Sequence, residues 1–328
     1  MQQLARAFVL LAATASLVLL VSLNVSGKWR RIAAAVLVLT DLTAFAWPFH
    51  ATFAAEQIAY PAPFMEVLAQ SPTPPRIHDF TGPPNVAMTE RVSSISGYTG
   101  SALRRYNDFF NLSQNLLRGA SQAYSIIDSL PPLYQMLALE YVILPQQALN
   151  PGMRTVAQAG DIALVAADGS FPRVFLAPDI ERVSGYEPAL GRVLHAGPGL
   201  LQRPVIEDYS GPYNPAPLAA SETAAITSFQ LNKLLIDTKT LQTRLLVVNE
   251  MYYKDWRAEV DGAPTDIYPV NVLFRGVFVP PGEHQVVLYC AAPAFVAGSV
   301  ISAVSLVALV CGLIVTLAKR RRPHLPTA

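Results

Sequence analysis

Two stretches of this 328-residue chain carry no charged residue at all, Ala7 to Gly27 and Phe295 to Ala318. Each reaches the ~20 residues that a helix needs to cross ~30 Å of hydrocarbon. A third run, Ile32 to Ala51, is similarly long but holds Asp41 near its middle. Between His50 and Ala294 nothing comparable occurs. The pattern predicts three membrane spans with one large insert between the second and third. Composition agrees: 14% of residues are charged, against roughly 25% in soluble domains.

Lysine and arginine near span ends set the expected orientation. Lys28, Arg30 and Arg31 cluster in the connector "SGKWRR", and Lys319 to Arg322 follow the last run. Both clusters are expected in the cytoplasm, which puts the insert outside and the N-terminus, with only Arg6, outside as well. An external N-terminus on an uncleaved first helix suits the back end of a longer polytopic chain. A signal peptide over residues 1–25 is the competing reading; the single arginine and the long apolar run stand against it. Cys290 and Cys311 would lie ~30 Å apart along a helix, far beyond the ~7 Å limit of a disulfide. The insert must therefore hold itself together by its core, and it is long enough to do so. A net charge of +1 offers no basic face, so nucleic acid is not an expected partner.

The insert changes texture along its length. Residues 51–75 are rich in Pro and Ala, with room for a short helix around Phe64 to Gln70. "RIHDF" is a brief strand, and residues 98–150 read as helical, with a second helix around Pro132 to Leu139. Then "YVILP", "DIALVAA" and "RVFLAP" show strand character, "ALGRVLHAG" suits one helix, and the pattern from Thr223 is nearly all strand. The expected fold class is membrane α-helical spans plus an external α+β domain ending in an antiparallel β-sandwich. The expected divisions are two spans and a connector (1–51), a helix-rich subdomain (52–160), a β-sandwich (161–293), a span (294–318) and a basic tail (319–328).

Within "YYKDWRAEVDG" the half-polar strand stops at Asp261-Gly262, a hairpin signal because a tight turn needs positive φ. Pro281-Gly282 marks another turn. Trp256 is expected to bury its ring in the sandwich, the alternative being a ligand face. Asp41 is the residue whose placement is most expensive, since a mid-bilayer carboxylate costs ~2.5–3.5 kcal/mol on insertion scales. It is expected neutral and bonded to Thr40, Thr43 or a serine such as Ser302, or else in contact with a lipid-linked donor or other helices. Glu56 lies close to the external membrane face and could take a metal or phosphate. Tyr209 and Tyr213 in "DYSGPYNPAP" could stack on sugar rings. The scattered histidines, His284 included, suit strand edges better than ligation. No phosphate loop, dinucleotide fingerprint, HExxH, paired CxxC or nucleophile elbow is present. Neither a metal nor a cofactor is expected, and catalytic residues stay unassigned.

The stretch "LLVVNEMYYKDWRAEVDGAPTDIYPVNVLFRGVFVPPGEHQVVLYCAAPAF", followed by an apolar run, resembles the C-terminal end of bacterial YfhO-like membrane proteins. The likeness runs through an apolar strand, an acidic residue, paired aromatics, Trp256, Asp261-Gly262, Arg275 and Gly282. Upstream, "IAYPAPFMEVL", "SISGYTGSALRRYNDFF", "LALEYVILP" and "SFPRVFLAP" resemble further segments, with Thr99 where an acidic residue is common. Together they cover most of residues 32 to 318. The resemblance implies a relative of the C-type membrane glycosyltransferases, which take sugar from a polyprenyl-phosphate donor to cell-envelope polymers or lipids. The catalytic acids of that superfamily sit in a first external loop among many helices, where this sequence has two, so no position inherits them. The implied role is accessory: a C-terminal module that positions an envelope acceptor, with catalysis in missing N-terminal helices or in an upstream polytopic membrane subunit. A non-catalytic envelope scaffold or glycan-binding membrane protein is the rival. The implied partners are membrane lipid and a polyprenyl-phosphate-linked sugar. The implied location is the bacterial cytoplasmic membrane, multi-pass, with the large domain outside.

Overall fold

The computed structural model describes residues 27–46, 59–82, 85–97, 103–119 and 132–320. The chain divides into two units, 1–58 and 59–328. In the first, the described residues form one helix, Gly27–Ala46, with Asp41 exposed on it.

The expected fold class is corrected by this structure. It is mostly β-sheet. Among the described residues one helix, Pro293–Arg320, is long and apolar enough to cross a membrane; its window Pro293–Val315 has mean hydropathy 2.5. The helix Gly27–Ala46 fails because Lys28, Arg30, Arg31 and Asp41 all fall within it. Residues 7–26 of the first uncharged run, and residues 47–51, lie outside the described residues. Absence of charge along a sequence is a weaker condition than a continuous apolar helix.

The first sheet contains β1 (Arg76–Asp79), β2 (Ser93–Ser94), β3 (Tyr141–Pro145), β4 (Thr155–Ala159) and β5 (Ile162–Ala166), in the order β2-β1-β3-β5-β4. Alternation puts Ile77, Ile143 and Leu164 on one face, under Phe64 and Leu68 of the helix Ala62–Leu68. That helix starts at a proline, in a first turn where a missing N–H costs no helical bond. Where residues 98–150 read as helical, the described part is a helix, Arg104–Ser113, a 3₁₀ turn, Pro132–Leu137, and β3.

Then come β6 (Val174–Ala177), β7 (Glu181–Val183), the helix Tyr186–Ala196, β8 (Val205–Glu207), β9 (Thr223–Gln230), β10 (Lys233–Thr240), β11 (Arg244–Met251), β12 (Trp256–Val260), β13 (Ala263–Thr265), β14 (Tyr268–Val270), β15 (Phe274–Val279) and β16 (Gly282–Cys290). They form a six-stranded sheet, β6-β11-β15-β14-β8-β7, and a five-stranded sheet, β13-β12-β16-β10-β9. The two sheets bury a shared core. Val174, Leu176, Leu246, Val248, Val277 and Val279 face Leu234, Ile236, Ala258, Val286 and Leu288. On its other face the six-stranded sheet sends Leu245 and Val247 into a second core with Phe109, Phe110, Tyr134, Leu190 and Val193. Strand β11 is thus covered on both sides, which is why its sequence shows an apolar run rather than an alternation.

Asp261 and Gly262 have φ of 51° and 80° and close the β12–β13 hairpin between Val260 and Ala263, the primed turn that matches strand twist. The run "AAITSFQLNKLLIDT" is two strands, β9 and β10, turning at Leu231-Asn232. Inside β15, Gly276 has no room for a side chain: an added Cβ would meet Val270, and Leu245 Cδ1 at 2.9 Å. Gly276→Ala is therefore expected to destabilise by about 1–3 kcal/mol, as overpacking does. Gly191, mid-helix with open space around it, gives the opposite outcome: Gly191→Ala should stabilise by about 0.5–1 kcal/mol. Thermal unfolding of the two variants in detergent should move the Tm in opposite directions.

Candidate functional site

Strand β11 pairs with β15 as far as Val248↔Arg275 and resumes at Met251↔Phe274, so Asn249 and Glu250 bulge out of the ladder. A bulge re-aims side chains. Here it turns Glu250 toward Arg76, at the start of β1, and Arg173, just before β6. Glu250 Oε1 accepts from Arg76 Nη2 at 2.7 Å and from Arg173 Nε at 2.8 Å. The other guanidinium nitrogens fasten backbone: Arg76 Nη1 donates to Leu137 O and Asn249 O, both at 2.7 Å, and Arg173 Nη1 to Pro74 O at 2.8 Å. Arg173 Nη2 reaches Ser93 Oγ at 3.1 Å. One carboxylate thereby joins the first sheet to the six-stranded sheet.

Arg275 stands behind this pair. Its Nε donates to Met251 O at 2.9 Å, and its guanidinium carbon lies 3.4 Å from the Trp256 ring centroid, a cation–π arrangement. Its Nη1 and Asn249 Oδ1 are buried without a hydrogen-bond partner among the described residues. Burial pulls Arg275 down to about 10, which still leaves it charged at neutral pH. Burial by itself would raise the Glu250 carboxyl, but the Arg76 and Arg173 charges and the hydrogen bond from Arg173 outweigh it and hold Glu250 below the usual range. A carboxylate fixed in the ionised form between two guanidiniums is poorly matched to proton transfer near neutral pH. Its chemistry is positional. A small cleft of about 230 Å³ opens beside it, lined by Arg76, Ser93, Ser94, Tyr106 and Glu250 among others.

A larger cleft, about 860 Å³, lies on the face of the first sheet opposite the helix Ala62–Leu68. Val142, Leu144 and Val165 contribute apolar surface, and Gln135, Asn150, Arg154 and Asp168 polar groups. Arg154 Nη2 and Asp168 Oδ1, both lining it, pair at 2.8 Å. That volume and mixture suit a small organic ligand.

Two further ion pairs tie neighbouring segments to the six-stranded sheet, one from the helix Arg104–Ser113 and one from the loop before β9. Arg105 grips Glu207 in two bonds of 2.6 and 2.8 Å and also donates to Val272 O at 3.0 Å. Val272 itself has φ 67°, a strained conformation for a β-branched residue. Arg244 donates to both Glu222 oxygens at 2.8 and 2.7 Å and to the carbonyls of Ala216 and Pro217. The side chains of Arg244 and Glu222 are 2% and 1% exposed. Hydrogen bonds from Arg244, and from the Ala219 and Leu241 amides, bring the Glu222 carboxyl down to about 2.

Residues 218–302 match the family model described as bacterial membrane protein YfhO. The C-terminal part of this chain is YfhO-like. A search of curated proteins returned no match, and a search of solved structures returned none. The YfhO-like segment contains β9 to β16 and the first residues of the helix Pro293–Arg320. It supplies Asn249, Glu250, Trp256 and Arg275 to the site, while Arg76 and Arg173 come from before it.

Within the YfhO-like segment Trp256 is half-buried, packed against the sandwich core with Arg275 over its ring. Asp261 also receives Gln285 N at 2.9 Å and lies 2.6 Å from His284 Nδ1. Gly282 has φ 129°, and a Cβ there would meet His284 Nε2 at 2.9 Å. Outside the segment, the Tyr209 ring stacks on Phe278 with centroids 4.2 Å apart, and Tyr213 OH donates to Ala177 O at 2.6 Å. The Thr40 and Thr43 hydroxyls donate to Val36 O and Leu39 O. Glu56 lies outside the described residues. Arg275 stands out in the sequence, whereas Arg76, Arg173 and Glu222 do not. The available signal was charge at the ends of short apolar strands, as in "RIHD" and "RLLVVNE".

Removing one partner from a buried pair strands the other charge, at a cost of about 3–5 kcal/mol. Glu250→Gln, which leaves two guanidiniums without their carboxylate, is expected to lower stability by that amount in denaturant titration. For Glu222 the folded pKa lies below the ordinary 4.5. Its stabilisation is thus complete above that pH and is lost as pH falls toward about 2. Wild-type Tm should drop across that window, and Glu222→Gln should start lower and show a flatter acid limb.

Proposed function

We propose that this chain is the β-rich part of a sugar-transfer apparatus in the bacterial membrane. It holds a cell-envelope acceptor while a polytopic membrane partner moves sugar from a polyprenyl-phosphate donor. The observation that carries this reading is continuity. The YfhO-like segment runs through the sandwich and into the helix Pro293–Arg320 without a break. Along that helix the large apolar side chains are uncovered, from Phe295 at 75% exposure to Val315 at 51%. An uncovered apolar surface of this extent calls for lipid or another helix.

Relation to membrane glycosyltransferases comes from the family likeness. The positional character of Glu250 and its arginines supports a holding role over proton transfer, and the 860 Å³ cleft offers an acceptor a seat of suitable size. Lys319 and Arg320 end the helix, so the positive-inside rule favours an extracytoplasmic sandwich.

Purified chain in vesicles, given radiolabelled polyprenyl-phosphate sugars and envelope extract, is expected to transfer sugar only when the polytopic partner is added. Turnover by the chain alone overturns the accessory reading. Acceptor binding with no turnover in either sample favours a glycan-binding scaffold. A cysteine at exposed Ser210, in a background with Cys290 and Cys311 replaced by Ser, should react with an impermeant thiol reagent on intact cells. Labelling only after permeabilisation would reverse the sidedness.

A further inference from the structure

The end of the sandwich next to the helix Pro293–Arg320 has a surface of its own. Strand β16 reaches the helix through Ala291 and Ala292, and two loops are fastened to that exit. Cys290 N donates to Asn232 O at 3.0 Å, in the β9–β10 turn, and Ala291 N donates to Asp255 O at 2.9 Å, in the loop before β12. Both loops therefore sit where the apolar helix leaves the sheet.

What they expose is unusual for a β-turn. Leu231, at the tip of the β9–β10 hairpin, is 93% exposed, the largest value among the exposed large hydrophobics. Tyr253 is 40% exposed. Lys233, Lys254 and Arg257 are exposed, and none of the three takes part in an ion pair among the described residues. Strand register ties two of them together. Arg257 pairs with Tyr289, and Tyr289 with Lys233, so a cation, an aromatic and a cation form one row on the outward face. One acid stands beside this row: Glu259, the next outward residue after Arg257 on β12, accepts from Tyr289 OH at 3.1 Å. Asp237, opposite Gln285, and Asp261 and Glu283 lie further along the strands. Around the two fastened loops the exposed cations Lys233, Lys254 and Arg257 face two carboxylates, half-buried Asp255 and the Tyr289-bonded Glu259.

We propose that this end of the sandwich docks on an anionic bilayer surface, with Leu231 entering the headgroup–acyl boundary and Lys233, Lys254 and Arg257 lying against lipid phosphates. An exposed apolar tip flanked by cations is what interfacial binding uses. Lysine and arginine near an anionic leaflet are attracted within about a Debye length, and tyrosine favours the headgroup level. Lipid is the occupant because the chain itself enters an uncovered apolar helix three residues after Cys290. The inference rests on reading that helix as a membrane anchor, and it goes further. It makes the sandwich a body held against the membrane at a second point, with the β9–β10 hairpin as its foot. Sliding the cleft of the first sheet freely above the bilayer would then be prevented.

The test uses the full chain in a background with Cys290 and Cys311 replaced by Ser. An environment-sensitive fluorophore is attached at Leu231→Cys or at Leu241→Cys. Leu241 is also exposed, at 62%, but follows β10 at the opposite end. The protein is reconstituted in phosphatidylcholine vesicles with and without phosphatidylglycerol, and shallow spin-labelled lipids serve as quenchers. The expected result is a blue-shifted Leu231 label quenched severalfold more than the Leu241 label. The difference should grow with phosphatidylglycerol and shrink when Lys233→Glu and Arg257→Glu are combined. Equal weak quenching at both positions, in protein that alkaline extraction leaves in the vesicles, overturns the docking. Release of the protein by alkali overturns the anchor and the docking together. Sugar transfer in the two-protein assay is read separately, so its loss with docking intact counts against the acceptor role alone.

Discussion

Glu250 is the point on which the large unit turns. It takes a guanidinium from β1 and another from the approach to β6, and so joins two sheets that otherwise meet mainly through the apolar core around Phe109, Tyr134 and Phe175. Burying three arginines around one carboxylate is costly unless nearly every donor is used. Arg76 and Arg173 meet that condition by binding backbone carbonyls at Leu137, Asn249 and Pro74. The bulge in β11 makes it geometrically available, because a regular ladder would keep Glu250 paired against β15. A local irregularity in one strand thus sets a long-range contact.

From this junction the architecture follows by layers. Strand β11 is covered on both faces, by the five-stranded sheet on one side and by helices on the other. Its two ends are charged and neither charge is left in water unpaired. Arg244 closes the loop ahead of β9 through Glu222, and Glu250 closes the first sheet. The five-stranded sheet then hands the chain to the apolar helix at Cys290. The end that carries the apolar helix and the arginine junction are consequently parts of one connected framework, with Trp256 and Arg275 between them.

Much of the β-structure was legible. The alternation in "KLLIDTKT" and the Asp261-Gly262 turn follow from local chemistry, and the structure has a strand and a hairpin turn there. At Pro281 the chain bends, and Gly282 already opens β16. The family likeness was legible too, because its dense stretch from Leu245 to Phe295 lies inside the matched residues 218–302. Membrane spans were over-read, since the helix that holds Ile32 to Ala46 also holds Lys28, Arg30, Arg31 and Asp41. The hairpin at Leu231-Asn232 was hidden because leucine at a turn tip looks like one more strand residue. The arginine junction was hidden for a different reason. Arg76 and Glu250 lie 174 positions apart, and only the tertiary fold and a bulge bring them together.

Hydrogen exchange on the wild-type protein in detergent tests the central claim, that Glu250 makes the first sheet and the sandwich one cooperative body. The predicted result is that slow amides of β1 and β3 share one opening free energy with those of β11 and β15, as members of a single unit do. Loss of protection in β1 and β3 at a clearly lower opening free energy, with β11 and β15 still protected, would contradict it.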